Sequence, residues 1–383
     1  MTQEILVRYG ELALKSPSVR RHMEFKLISN IQLLLEKHSI QHTSVFLKRS
    51  WGRIIIAIND KVKEQSEQIL SLLMKYGIGI TSFSIAIKTS SELSSIKETA
   101  LKLAEEKLKP NMTFVVRARR IGKHSYTSNE LERLVGEVIY ETLAQKRNLS
   151  VNLTKPDYTL FIEVKDEFAY IFDTRVKGYG GLPQSTHGTI ASIMRGSQED
   201  VLAAFLLAKR GSLIEPVLFQ LKNKNHDNIS ALNEHLHFFN KLQPKKNLTY
   251  HTVNFNILLE QIGVSNLKCS ICDELCAKIT NKCLKNNKRI NGLSLGNNST
   301  ALVDRKIISS YQTIGIPIYY PIIAINSEEI HHPFGEGFKS SFCLASCPGY
   351  KNEKKKEIKS LSQAELDQIV TGIDYSIFST NKT

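Results

Sequence analysis

Residues 177–211 combine turn-forming and apolar segments in an order that restricts the fold more than any other part of the chain. The glycine-rich connector KGYGGLPQSTHG leads into the apolar strand pattern TIASIM, the polar loop RGSQED and the amphipathic helix pattern VLAAFLLAKRG. In a strand–loop–helix unit, backbone N–H groups and the positive end of the helix dipole point at the loop. α/β proteins hold nucleotide phosphates in such loops, but Glu199 and Asp200 would repel a phosphate here. The geometry predicts a nucleotide site, and the charges argue against one.

The rest of the chain predicts an α/β and α+β multidomain protein with domains at residues 1–80, 81–177 and 178–383. The first segment and the strand pattern SFSIAIK after it have the order β-α-β-β-α-β, which is typical of a ferredoxin-like domain. The second has two helix patterns, a strand ending in basic residues and a hairpin; Thr127 and Glu130 predict a capping box at the second helix. The third alternates strands with helices, which predicts a mostly parallel sheet, and residues 360–378 predict a closing helix.

The charge of the chain favours a polyanionic partner, most simply nucleic acid. There are 51 Lys and Arg residues against 37 Asp and Glu, which gives a formal net charge of +14. The alternative is the general solubility of a basic protein. No apolar run reaches the length of a membrane span and the N-terminus lacks a signal-peptide pattern, so we expect a cytoplasmic protein without membrane contact.

Basic residues cluster at two places where RNA contact is expected. These candidate RNA-binding residues are Lys15, Arg20 and Arg21 near the first helix, and Arg117, Arg119, Arg120 and Lys123 at a strand end and the loop after it. Clusters of this kind contact phosphates and recognise the shape of folded RNA rather than its sequence. The alternative is a solvated basic face.

All six cysteines lie beyond residue 260. They are Cys269, Cys272, Cys276, Cys283, Cys343 and Cys347. In a reducing compartment such clustering indicates metal or thiol chemistry rather than disulfides. A structural zinc ion held by four cysteines is one option. Because the first four have helical spacing, a buried apolar stripe is the alternative.

Several motifs resemble the tRNA 4-thiouridine synthases of the ThiI type. They are RYGELALKSPSVRRHME, WGRI, GITSFS, TFVVRARR, KPDYTLFIEV and GYGGLP, in this order along the chain. The resemblance implies that a ferredoxin-like domain and a THUMP domain hold tRNA. It also implies that a PP-loop domain adenylates uridine 8 with ATP and replaces its oxygen with sulfur. Its further implications are a cysteine desulfurase or other sulfur donor as partner, and a homodimer.

The nucleotide loop departs from this family's pattern. The family's Ser-Gly-Gly-x-Asp-Ser falls on residues 195–200, where only Gly196 is kept. The resemblance implies a cofactor-binding set of Ile193, Met194, Gly196, Ser197 and Gly292. Gly196 and Ser197 can still form a tight turn, and Asp200 is expected to cap the following helix.

The second nucleotide loop, NGLSLG at residues 291–296, has also lost polar groups. Leu293 occupies the family's acidic position, Ala301 that of a glutamine, and Asp273 that of a lysine facing the nucleotide. Together with the first loop, these changes predict that ATP and Mg²⁺ are not bound in the ordinary way.

The resemblance gives the cysteines two further roles. In some members a Cys-x-x-Cys pair and a distant cysteine hold an iron–sulfur cluster, which implies Cys269, Cys272 and Cys343 as metal ligands with Cys347 as the near alternative. In others a cysteine at this place carries persulfide sulfur, which implies Cys343 and Cys347 as catalytic residues.

Two main functions therefore stay open, beside a third, a repurposed transferase that uses the cluster without adenylation. The first is a sulfurtransferase acting on uridine 8 of tRNA. The second is an ATP-incompetent paralogue that acts as a tRNA-binding or partner protein.

Overall fold

The computed structural model describes residues 2–40, 45–50, 52–58, 65–223, 226–256, 269–284, 287–297, 315–325, 363–372 and 375–379. The chain divides into two compact units. Unit 1 comprises Met1–Arg20 and His38–Gly180, and unit 2 comprises Arg21–Lys37 and Gly181–Thr383. Within the described residues, no helix has the length and apolar character that crossing a membrane requires.

Unit 1 is built on one nine-stranded sheet. Its strands are β1 (Thr2–Arg8), β2 (Val45–Ser50), β3 (Arg53–Ile58), β4 (Ser82–Ser90), β5 (Thr113–Ile121), β6 (Ser150–Val151), β7 (Tyr158–Lys165), β8 (Phe168–Phe172) and β9 (Val176–Lys177). Its helices are α2 (Ser66–Tyr76), α3 (Leu93–Lys107) and α4 (Ser128–Arg147), and a 3₁₀ turn at Glu11–Leu14 precedes α1 (Pro17–Lys37), most of which belongs to unit 2. The strand order is β2-β3-β1-β4-β8-β7-β5-β6, with β9 beside β4.

The predicted ferredoxin-like order is confirmed in this sheet. Strand β1 pairs antiparallel with both β3 and β4, and β4 continues the sheet by pairing antiparallel with β8. The proposed boundary between residues 80 and 81 falls just before β4, which therefore joins the two halves of one sheet; the three domain boundaries stay predictions.

Helices α3 and α4 cover one face of the second half of this sheet. Buried side chains on both helices pack against Phe114 and Val116 of β5 and Ile162 of β7. The predicted capping box opens α4: the Thr127 hydroxyl accepts from the Glu130 N–H at 3.2 Å, and the Glu130 carboxylate accepts from the Thr127 N–H at 2.7 Å. Helices α3 and α4 do not cover the opposite face of β5.

Unit 2 is built on a six-stranded sheet of order β16-β15-β10-β11-β14-β17. Its strands, with the two-residue ribbon strands β12 and β13, are β10 (Thr189–Met194), β11 (Leu213–Gln220), β12 (Lys222–Asn223), β13 (His226–Asp227), β14 (Thr249–Asn254), β15 (Ile290–Ser294), β16 (Ile318–Tyr319) and β17 (Tyr375–Ser379). Its helices, besides α1, are α5 (Gln198–Lys209), α6 (Ile229–Leu242), α7 (Cys269–Leu284) and α8 (Gln363–Gly372). All sheet pairs are parallel except β14 with β17, so the mostly parallel prediction is confirmed.

The predicted closing helix over residues 360–378 is wrong at its C-terminal end. Helix α8 ends at Gly372, and Tyr375–Ser379 forms strand β17, antiparallel to β14. The segment YSIFS has the aromatic and β-branched residues that favour strands, and it satisfies the backbone groups along β14. Tertiary pairing therefore overrides the helical pattern.

Candidate nucleic-acid face and nucleotide loop

Strand β5 places two of the predicted RNA-binding arginines on the sheet face that α3 and α4 do not cover. Phe114 and Val116 lie in the core beneath these helices, and side chains alternate between the two faces of a strand. Arg117 and Arg119 therefore project from the opposite face, and both are exposed. Arg117 donates to the Leu153 carbonyl oxygen at 2.6 Å, and its Nη1 lies 4.0 Å from Glu132 Oε2 of α4.

The other predicted residues of this cluster lie at the turn after β5. Arg120 alternates onto the side of the helices and donates to the Gly122 carbonyl oxygen at 2.6 Å. Gly122 has a φ of +105°, a conformation that favours glycine and lets the chain turn sharply before the exposed Lys123. The structure therefore brings Arg117 and Arg119 onto one face, whereas Arg120 lies on the helix side of β5 and Lys123 in the turn after it.

The first basic cluster is divided between the two units. In unit 1, Arg20 donates to the carbonyl oxygen of the exposed Lys15 at 3.2 Å. In unit 2, the exposed Arg21 places its guanidinium carbon 5.8 Å from the ring centre of Phe25. All seven residues keep the role of predicted RNA contacts.

A buried charge cluster that the sequence patterns did not indicate lies on the same face of the unit 1 sheet. Glu163 of β7 pairs with Arg119 in the strand register, so both side chains project from one face. The Glu163 carboxylate accepts from Arg8 Nη2 at 2.9 Å and from Arg53 Nε at 3.0 Å. Burial favours a higher pKa for Glu163, but the charges of Arg8 and Arg53 and their hydrogen bonds outweigh burial and hold that pKa below its ordinary value. Alternation within YTLFIEVK was the available signal for this face.

The first loop of unit 2 is closed by hydrogen bonds of its own. Ser197, rather than the predicted Asp200, is the N-cap of α5, and its hydroxyl accepts from the Asp200 N–H at 3.2 Å. The prediction was wrong because Gly196, with a φ of +100°, turns the chain early enough for the helix to begin at Gln198. Asp200 thus lies in the first turn with its carboxylate directed back at the loop.

Asp200 and Arg195 form an ion pair inside this loop. The Asp200 carboxylate accepts from the Arg195 backbone N–H at 2.8 Å and from Arg195 Nη2 at 3.3 Å. Asp200 is fully buried and the Arg195 side chain is 6 % exposed. Arg195 also donates to Asn297 Oδ1 at 3.4 Å, and Asn228 donates to the Arg195 carbonyl oxygen at 2.8 Å. A carboxylate of the protein therefore receives the loop N–H and the arginine charge that an external anion would use.

The second loop packs directly on the first. A Cβ atom at Gly296 would lie 2.5 Å from the Asp200 backbone nitrogen, so no larger residue fits there. Leu293 is buried in the core cluster with α7, which explains how an apolar side chain replaces the acidic one of the family pattern.

The predicted cofactor-binding residues lie in or beside these two loops. Their role in binding a cofactor stays a prediction. Ile193 and Met194 are fully buried at the end of β10, so a ligand could reach only their backbone. Gly292 packs against Tyr319, whose Cε2 would lie 2.5 Å from a Cβ at this position. Close packing alone accounts for this glycine.

For the cysteines of α7 that the structure describes, their burial favours the alternative of a buried apolar stripe on one face of the helix. Cys276 and Cys283 are buried in the core of unit 2, with Cys272 partly buried against it. Burial raises the pKa of the Cys283 thiol to about 12, which keeps it protonated at neutral pH. Within the described ranges, no three His, Cys, Asp or Glu residues form a metal-binding group. Cys343 and Cys347 lie outside the described residues, as does the Cys269 side chain, so the metal and catalytic assignments stay predictions.

Known proteins match most of this chain. Residues 4–84 match the family model of the ThiI ferredoxin-like domain, and residues 90–173 match that of the THUMP domain. A probable tRNA sulfurtransferase of Methanosarcina mazei is 32% identical over 343 residues, covering 86% of this chain and 81% of the relative. Its counterpart in Thermococcus kodakarensis is 30% identical over 341 residues, covering 86% of each protein.

Two solved structures share the architecture. PH1313 from Pyrococcus horikoshii superimposes with a TM-score of 0.62 at 27% identity, over 85% of this chain and 96% of that one. A 4-thiouridine synthetase, solved as an RNA complex with bound ATP, gives a TM-score of 0.73 at 23% identity, over 98% of this chain and 100% of that one. At this identity the second likeness shows the fold.

Proposed function

This chain belongs to the tRNA sulfurtransferase family, and from that membership we propose that it binds tRNA and transfers sulfur to uridine 8 to form 4-thiouridine. The observation that carries the proposal is the similarity to a probable tRNA sulfurtransferase over 86% of this chain, which is more than unit 1 alone contains. The residues of unit 1 supply an independent physical reason for the RNA part.

Unit 1 offers RNA a face with two exposed arginines, of which Arg117 is held by a hydrogen bond. Arg117 and Arg119 project side by side from β5, and the hydrogen bond of Arg117 to Leu153 reduces the side-chain freedom that binding would otherwise remove. Phosphate contacts of this kind supply most of the affinity of proteins for nucleic acids and do not depend on base sequence. A protein that recognises folded tRNA by shape needs contacts of this class.

The second candidate function is an ATP-incompetent tRNA-binding or partner protein. The ion pair of Arg195 and Asp200 favours it, because a buried carboxylate already accepts from the loop N–H and repels a phosphate. ATP binding by the first candidate would require this pair to separate, with two buried charges losing their partner. The ATP-bound relative has the same fold, and the loop residues decide whether this chain shares the ligand.

The remaining parts of the reaction are proposed from the family resemblance alone. A cysteine desulfurase or another persulfide donor would supply sulfur, and Cys343 and Cys347 would carry it. In the alternative route, Cys269, Cys272 and Cys343 would instead hold an iron–sulfur cluster or a zinc ion, because thiolates are soft ligands for both. We further propose a homodimer acting on tRNA in the cytoplasm.

One measurement distinguishes the two candidates. Cells lacking this gene are compared with cells that regain it, and 4-thiouridine in digested tRNA is quantified by mass spectrometry. The sulfurtransferase predicts that the nucleoside disappears and returns with the gene. Unchanged 4-thiouridine, with the purified protein still binding tRNA, would select the ATP-incompetent binder instead.

A further inference from the structure

Two phenylalanines, Phe161 and Phe172, lie beside the predicted RNA contacts on the face of the unit 1 sheet that α3 and α4 do not cover. We call this pair of rings the aromatic floor. In the strand register, Arg117 of β5 pairs with Phe161 of β7, which pairs with Phe172 of β8. Directly paired residues project from the same face, so this row runs from an exposed arginine to two phenylalanines. The Phe161 and Phe172 rings are stacked, with centres 5.3 Å apart and planes 17° apart.

Two further arginines lie over this floor. The guanidinium carbon of Arg175 is 4.5 Å from the Phe161 ring centre, and that of Arg8 is 4.8 Å from the Phe172 ring centre. Guanidinium groups are attracted to aromatic faces at these distances, and a guanidinium over a ring can still donate hydrogen bonds along its own plane. The floor therefore fixes the plane of Arg175 without using its hydrogen-bond donors.

The cluster contains more positive than negative charge. Arg8, Arg53 and Arg175 surround the single carboxylate of Glu163, and Arg175 Nη2 is 3.7 Å from Glu163 Oε1, beyond hydrogen-bond distance. Burial lowers the pKa of Arg8; Glu163 opposes this effect, and the charges of Arg175 and Arg53 add to it. Three guanidinium groups around one carboxylate leave an excess of two positive charges, which an added anion would offset.

Only one of these three arginines is positioned to meet an external ligand. The Arg175 side chain is 47 % exposed, whereas that of Arg8 is 7 % exposed and that of Arg53 is 19 % exposed. We propose that Arg175 binds a backbone phosphate of tRNA, next to Arg117 and Arg119, and that Glu163, Arg8 and Phe161 are positioning residues beneath it. The inference rests on the proposed tRNA binding and adds a contact that lies beyond the residues matched by the THUMP domain model.

The test compares Arg175→Gln with the matched control Arg133→Gln. Glutamine keeps a planar terminal group over Phe161 while it removes the charge. Arg133 is also an exposed arginine of unit 1, but it lies on α4 and is paired with Glu137 at 2.6 Å. Affinity of each intact variant for tRNA is measured over a salt series, with a melting curve to verify folding. R175Q is expected to weaken binding about tenfold near physiological salt and to reduce the slope of log K against log[salt] by about 0.7–0.9, as for one lost phosphate contact.

The outcomes separate this inference from the proposed function. The inference is supported when R175Q shows the lower slope and R133Q matches the wild type. It is overturned when a folded R175Q binds tRNA with wild-type affinity and slope, which leaves tRNA binding itself intact. Failure of the wild-type protein to bind tRNA at any salt concentration overturns the proposed function and this inference with it.

Discussion

Replacing Asp200 with serine is expected to lower the unfolding free energy of unit 2 by about 3–5 kcal/mol, the cost typical of leaving one partner of a buried ion pair alone. The variant D200S removes the carboxylate that accepts from Arg195 at both its backbone N–H and Nη2. Arg195, with a side chain only 6 % exposed, would keep its charge away from water. R195S is expected to cost a similar amount because it isolates the buried carboxylate.

The double variant R195S/D200S distinguishes the stability lost by breaking the ion pair from the stability lost by shortening the two side chains. It places serine at both positions, as in the family pattern, and should lose far less stability than the two single variants added together, because no buried charge remains. Unfolding is followed by far-UV circular dichroism, since the single tryptophan, Trp51, belongs to unit 1. The ion pair would not hold this loop closed if the double variant lost as much unfolding free energy as the two single variants added together. A loss below about 1 kcal/mol in D200S would show the same.

Reversing two charges on β5 is expected to produce the largest loss of tRNA affinity. R117E/R119E removes two phosphate contacts and places two carboxylates on the same exposed face, so we expect binding to weaken by about 100-fold or more at roughly 0.1 M salt. The measurement is filter binding or fluorescence anisotropy with unmodified tRNA. Circular dichroism verifies the fold, since both side chains are exposed and the core beneath β5 is unchanged.

A matched control shows whether position or total charge is responsible. K102E/K107E makes the same change in net charge on α3, where both lysines are exposed on the helix that covers the other face. This control is expected to weaken binding by less than about fivefold, through long-range electrostatics only. Equal losses in the two double variants would contradict a defined RNA-binding face on β5.

Local patterns predicted most of the longer elements of both units. The alternation of TFVVRARR was sufficient to place Arg117 and Arg119 together on the exposed face of β5. Thr127 and Glu130 gave the start of α4 because a capping box is a contact between neighbours in sequence. The end of the chain was mispredicted because β17 is specified by the edge of β14, more than a hundred residues earlier.

The site itself depended on contacts that no local pattern encodes. In the sequence, Arg195 and Asp200 are two separate departures from the family's loop pattern. The turn at Gly196 brings the two side chains together as one ion pair. Arg8 and Glu163 are 155 residues apart, and the order of strands in the sheet brings them together. Pairing across a sheet follows from topology, which composition and periodicity constrain only weakly.

The most direct test of tRNA binding by unit 1 is a map of the contacts in the complex. The intact protein is bound to tRNA, crosslinked with ultraviolet light and digested, and the peptides carrying nucleotides are identified by mass spectrometry. We expect crosslinks in the peptides that contain Arg117, Arg119 and Arg175, with additional ones near Lys15 and Arg20. Crosslinks confined to peptides of unit 2, or a protein that forms no complex with tRNA, would contradict the account.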